Sequence, residues 1–259
     1  MSDLSYAPLI REMTWSYSRI KTFETCPHAW FLTYIKNYSQ KDRFFTSYGS
    51  FMHSLLEAYF SGKLSRGETL TRFLTGFREN VRGERPSAEL AARYVVEGSS
   101  YLSGLQKPDG EICAVEEAVS FDIGGRPFVG VIDLRLRENG SLVVIDHKSR
   151  DLKPRSGRTK PTVSDRELDD RLRQLYLYAA AVQQKYGELP SELRFNCFRT
   201  GAVIRERFER TAFDEAQAWA LRMIGEIENE EDFEPKQKYY YCRWICPVAD
   251  HCDYDLGRT

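Results

Sequence analysis

Three charged residues on neighbouring strands carry the most chemistry in this sequence. Gly130-Val131-Ile132-Asp133 is followed closely by Ile145-Asp146-His147-Lys148. Asp146 and Lys148 are two apart, so on an extended chain both side chains leave the same face. Leu142 and Val144 continue that face as apolar residues, and the strand runs from buried hydrophobes into charges at one end of a sheet. Asp133 belongs to the preceding hairpin strand, close enough for the two carboxylates to meet. A buried carboxylate needs a cation, and its oxygens suit Mg²⁺ or Mn²⁺. Such an ion polarises a phosphoryl oxygen and acidifies a bound water. Lys148 would orient that water or neutralise charge building on the phosphate. The chemistry implied is phosphodiester hydrolysis. Asp-x-Lys alone more often finishes a strand edge as a structural pair, so its company decides.

Gln174 and Tyr178 are i and i+4 on a helical stretch and share a face, with Arg171 and Arg173 beside them. His53 lies in Gly49-Ser50-Phe51-Met52-His53, and neutral imidazole is an adequate metal ligand, although a lone helical histidine is more often packed or exposed. Glu57, one turn later, is either its partner or solvated. Arg150, Lys153, Arg155, Arg158 and Lys160 follow Lys148 directly. A basic loop there could grip phosphates or simply be solvated; Arg173 joins the same set. A second constellation is Cys242, Cys246 and Cys252, with Cys26 far upstream in a Cys-Pro step. Four thiolates suit zinc or an iron–sulfur cluster, and by chemistry alone zinc leads. Such a site would staple the chain ends across a loop of over two hundred residues. Cys113 and Cys197, beside strands, read as buried thiols. His251 reads as a bystander.

The elements that must position these groups follow from periodicity. One helix is expected over residues 18–38, capped by Ser16 or Ser18. A second follows Gly49, and two more lie near 70–78 and 88–102. Strands are expected over 114–123, 127–137 and 142–148, joined by Gly124-Gly125 and Asn139-Gly140 turns. A loop over 150–165 leads to a helix over 167–186, ended by Gly187 and Pro190. Strands over 193–199 and 203–208 and a helix over 213–230 complete the series. The expected fold is α/β: a central mixed sheet with flanking helices. A helical N-terminal region (12–105), a core (111–210) and a cysteine segment (233–259) returning to Cys26 would make one domain.

Bulk properties permit this. Hydrophobic residues are 42% of 259, enough for a large core, and a net charge of −1 neither favours nor excludes a nucleic-acid partner. Met1 to Arg11 lacks a basic segment leading into an apolar run, and no stretch approaches a membrane span. A cytoplasmic location without a membrane partner is expected, where structural disulfides are rare and cysteines serve as ligands or core thiols. No G-x-x-x-x-G-K-[ST] phosphate loop is present, so no helicase motor is fused here.

The ordered motifs resemble the PD-(D/E)XK nuclease superfamily, specifically the RecB-like branch with iron–sulfur members. That branch includes the C-terminal nuclease of AddB and nucleases associated with CRISPR adaptation. The pieces that carry the resemblance are Ser18 to Cys26-Pro27, Gly49 to His53, Glu117, Gly130 to Asp133, Asp146-His147-Lys148, Gln174-x-x-x-Tyr178 and the C-terminal cysteines. It implies a restriction-endonuclease-like fold and a metal-dependent deoxyribonuclease, an exonuclease rather than an endonuclease. Its substrate would be single-stranded DNA or DNA ends, in recombination, repair, phage or CRISPR-related processing. Partners could include a separate helicase, recombination protein or CRISPR adaptation protein. His53, Asp133, Asp146 and the His147 backbone carbonyl would bind Mg²⁺ or Mn²⁺, Lys148 would be the catalytic lysine, and Gln174 and Tyr178 would edge the site. Glu117 matches a supporting acid; Glu116 competes, and alternation separates the two. The resemblance also puts a [4Fe–4S] cluster on Cys26, Cys242, Cys246 and Cys252 ahead of zinc, although three residues rather than two separate Cys242 from Cys246. A catalytically idle DNA-binding module and a zinc-stapled scaffold subunit of a larger recombination complex are the alternatives.

Overall fold

A computed structural model describes residues 6–254. Its centre is a five-stranded sheet in the order β1 (Glu111–Ile123), β2 (Arg126–Glu138), β3 (Ser141–Lys148), β4 (Glu192–Cys197) and β5 (Ala202–Arg207). β3 and β4 are parallel and the other neighbours antiparallel. A parallel pair needs a long crossover, supplied by the helix Val163–Tyr186. The α/β fold is therefore the expected mixed sheet with flanking helices.

Before the sheet come α1 (Ala7–Arg11), α2 (Tyr17–Thr25), α3 (Pro27–Tyr34), α4 (Phe44–Phe60), α5 (Arg66–Asn80) and α6 (Ala88–Ser103). After β3 come α7 (Val163–Tyr186), α8 (Arg210–Glu228), α9 (Tyr239–Trp244) and a 3₁₀ turn at Ala249–His251. The helix expected over 18–38 is two helices. The residue before a proline is pushed from the helical region, and Cys26 is extended (φ −160°), ending α2 and capping α3. Pro27 then takes the first turn, where a missing N–H costs nothing. α4 begins five residues before Gly49, and α1 was not expected. α7 starts at Val163 rather than 167 because Thr162 and Asp165 form a capping box.

The two faces of β3 feed different cores. Leu142 and Val144 pack with α2, α7 and α8, whereas Val143 and Ile145 pack with α4, α5 and α6. β2 changes sides midway. Phe128 and Ile132 belong to the first core, Leu134 and Leu136 to the second. Even-numbered residues of a regular strand share one face, so β2 turns over at Asp133. β1 turns over beside it: Val119 and Phe121 pack in the first core, Val115 against the second. Val115 pairs Leu134 and Glu117 pairs Ile132, leaving Glu116, with φ +48°, at the turnover. A small third cluster joins Cys26, Ala29 and Leu32 to Cys246, Val248 and Ala249.

Candidate active site

The β2–β3 pairing stops at Leu134 with Ile145. The next pair would be Asp133 with Asp146, but the strands separate there. Instead the His147 backbone N–H donates to Asp133 Oδ2 at 2.6 Å. Asp133 and Asp146 are 7% and 2% exposed. α4 brings His53 Nδ1 to 3.5 Å from Asp133 Oδ2 and 3.7 Å from Glu116 Oε1. Donor atoms of His53, Glu116 and Asp133 all lie within 4.8 Å of one another.

Burial first, and the charge of Asp146 second, push Asp133 up to about 7, only partly offset by His53 and the His147 N–H. Burial lowers His53, but Glu116, Asp133 and Asp146 outweigh it and hold the imidazole above its ordinary value. Adjacent buried carboxylates with too little positive charge suit a hard dication.

Lys148 is held from two sides. Its Nζ lies 2.7 Å from Asp146 Oδ2 and donates to Gln174 Oε1 at 2.8 Å. Gln174 Nε2 donates to the Tyr178 hydroxyl at 2.9 Å. Tyr178 in turn packs closely against Gly130, where an added Cβ would fall 2.7 Å from its Cε1. Gly130 is thus what admits α7 to the sheet at this point. The His147 ring points to the other face, stacked on Phe60 at 5.6 Å, and burial drives its pKa down to about 3.

Several sequence-predicted groups lie elsewhere. Glu117 faces the opposite side from Glu116, bound to Arg135 at 3.0 Å, Lys185 at 2.8 Å and the Tyr186 hydroxyl. The acid at the site is Glu116: the strand turns over at its positive φ, which decides which of the two neighbours faces His53. Glu57 pairs with Lys63 rather than His53. Arg150 is paired with Glu167, and Arg155 with Asp169 and Glu206. Arg173 is turned to Asp170 and the Trp219 ring. Lys153, Arg158 and Lys160 are exposed, with no ion pair among the described residues. The loop is pinned: Ser156 and Thr162 both donate to Asp165, holding that carboxyl far below its usual range. Arg171, passed over as a site residue, shares the surroundings of the Tyr17 hydroxyl with Asp146. Its i+3 relation to Gln174 was the available signal.

The four cysteines Cys26, Cys242, Cys246 and Cys252 line one small pocket with Ala29, Leu32, Tyr241 and Val248. Burial, opposed by a backbone hydrogen bond at Val248 and reinforced by the other three thiols, pushes Cys246 up to about 11. A thiolate there needs a cation. Cys197 is buried, but Cys113 is only half-buried at a β-bulge, where its Sγ reaches the Glu111 carbonyl. His251 stacks on Tyr38 and lies outside the pocket. Among the described residues no helix is long and apolar enough to cross a membrane.

No curated protein matches this chain. A crystal structure described as "Putative exonuclease" from Eubacterium rectale is 15% identical and superposes with a TM-score of 0.50, covering 97% of this chain and 92% of its own; at that identity the likeness is one of fold. A second, SSO0001, is 17% identical over 72% of this chain and 81% of its own, and its TM-score of 0.31 supports no argument. The family model of the PD-(D/E)XK nuclease superfamily matches residues 14–253, which include both strands of the carboxylate pair, Lys148 and all four pocket cysteines, and so the chain belongs to the PD-(D/E)XK nuclease superfamily.

Proposed function

We propose that the protein is a divalent-metal-dependent deoxyribonuclease acting on single-stranded DNA or DNA ends, an exonuclease rather than an endonuclease. One observation carries this reading: His53, Glu116 and Asp133 converge where β2 and β3 part, with Asp146 on the neighbouring strand paired to the ammonium group of Lys148. The donors fit a hard ion, since three are carboxylates and Asp133 is destabilised as an anion without one. Bound Mg²⁺ or Mn²⁺ would supply a Lewis acid and an acidified water. His53, Glu116, Asp133 and Asp146 would hold it, with the His147 carbonyl as a further oxygen. Lys148 would meet the phosphate or its attacking water, kept on station by Gln174 and Tyr178. Lys153, Arg158 and Lys160 would give a local grip on phosphates. DNA processing in recombination, repair, phage or CRISPR-related pathways is consistent with such chemistry.

The thiol pocket would hold a [4Fe–4S] cluster. Iron in the purified protein with absorbance near 400 nm would support it, and stoichiometric zinc would count against it. The activity is tested with end-labelled and circular single- and double-stranded DNA in Mn²⁺. Linear single strands should be degraded and circles spared, and Lys148→Ala should slow cleavage by about 10²–10³-fold, the scale of one lost charge stabiliser. Full activity in Lys148→Ala would refute the assigned site.

A further inference from the structure

A cleft of about 790 Å³ opens from the metal centre, starting at His53 and Glu116 and running between α4 and α9. Its far wall carries Tyr240, whose side is 58% exposed and whose ring is 5.9 Å from Phe45. Phe45 lies on Tyr94, and Arg199 sits 4.2 Å over the Tyr94 ring. Aromatic faces beside a phosphate-cleaving centre suit unpaired bases, because every base offers a π-face while a duplex hides it.

The wall has an unusual support. α9 is six residues long and buries none of them, and so short a helix does not hold itself. Its Cys242 and Tyr241, and Cys246 just beyond, line the thiol pocket, while Tyr240 faces the cleft. Arg243 adds an ion pair to Glu84. One side of α9 is therefore fastened by thiols and the other is presented to the channel.

Resting on the nuclease reading above, we propose that a single DNA strand reaches the metal centre through this cleft with a base stacked on Tyr240. The thiol-held segment is then a wall of the substrate channel as well as a staple. Tyr240 is a positioning residue, distant from the reacting phosphate.

The test is fluorescence anisotropy of a labelled single-stranded 20-mer with the whole protein in Ca²⁺, alongside cleavage by the wild type in Mn²⁺. Tyr240→Ala should weaken binding about tenfold, the scale of one lost base–aromatic stack. Tyr240→Trp should restore it. Tyr239→Ala, equally exposed but outside the cleft, should bind as wild type, and a blunt duplex should be bound equally by all variants. The absorbance and metal content of Tyr240→Ala should match the wild type, which separates a lost stack from a lost staple. Binding by Tyr240→Ala within twofold of wild type, or an equal loss in Tyr239→Ala, would overturn the channel while leaving the nuclease reading intact. A wild type that neither binds nor cleaves DNA would overturn both.

Discussion

The carboxylate site and the thiol pocket both gather side chains from distant parts of the chain, but they rest on different foundations. The carboxylate site sits between two large cores, with Ile132 and Val144 packed on one side and Leu134 and Ile145 on the other. Each fully buried side chain of that size contributes about 1.5–3 kcal/mol, so the carboxylates are placed by the scaffold and a metal would add function to a finished structure. The thiol pocket has a small apolar filling apart from its cysteines: Ala29, Leu32, Val248 and Ala249, with the partly buried Phe31 and Tyr241 against them. A metal or cluster bound there would supply folding energy as well. The same kind of convergence can thus be a site carried by a fold, or a fold carried by a site.

The largest test of that contrast is Cys246→Ser. It should abolish metal binding at the thiols and unlock residues 235–254 to proteolysis and amide exchange, while the β1–β5 sheet stays protected. Loss of protection throughout the sheet would erase the distinction. Gly130→Ala is next. Overpacking against Tyr178 should cost about 1–3 kcal/mol, and the displaced Gln174 should release Lys148, lowering cleavage; an unchanged melting curve and rate would show that the close approach is dispensable. pH gives a smaller effect. Asp133 is raised to about 7, so between about pH 4 and pH 7 the unfolded chain loses its proton first. The stability that Asp133 contributes in its protonated form is therefore present at low pH and lost as pH rises to 7. The buried, neutral His147 works in the opposite direction below pH 6.5. Melting in EDTA from pH 5 to 8 should show the Asp133 contribution as a difference from Asp133→Asn, and two superimposed profiles would exclude it.

Most of the fold was legible because its signals are local: alternation in the strands, Asn139-Gly140 at a hairpin, and Gly187 after α7. Cys26-Pro27 was legible too but was passed over as a helix break, although proline restricts the residue before it. The assignment of Glu116 over Glu117 was not legible. It depends on both strands turning over together at Glu116 and Asp133, which neither sequence announces, since Glu116 takes a positive φ without being glycine. The basic run after Lys148 reads as a loop that grips phosphates or is solvated, but the acids that neutralise Arg150 and Arg155 come from α7 and β5, a tertiary fact. Gly130 is part of a motif in the sequence, but its reason, the close approach of the Tyr178 ring, comes from α7, a tertiary contact.

On the proposed reading, the carboxylates at the parting of β2 and β3 would share one hard dication. Calorimetric titration of Mn²⁺ into the wild type, Asp146→Asn, Glu116→Gln and Glu117→Gln tests it most directly. Binding should be lost in Asp146→Asn, weakened in Glu116→Gln, and equal to wild type in Glu117→Gln. Undiminished Mn²⁺ binding by Asp146→Asn, or a loss in Glu117→Gln matching that in Glu116→Gln, would contradict it.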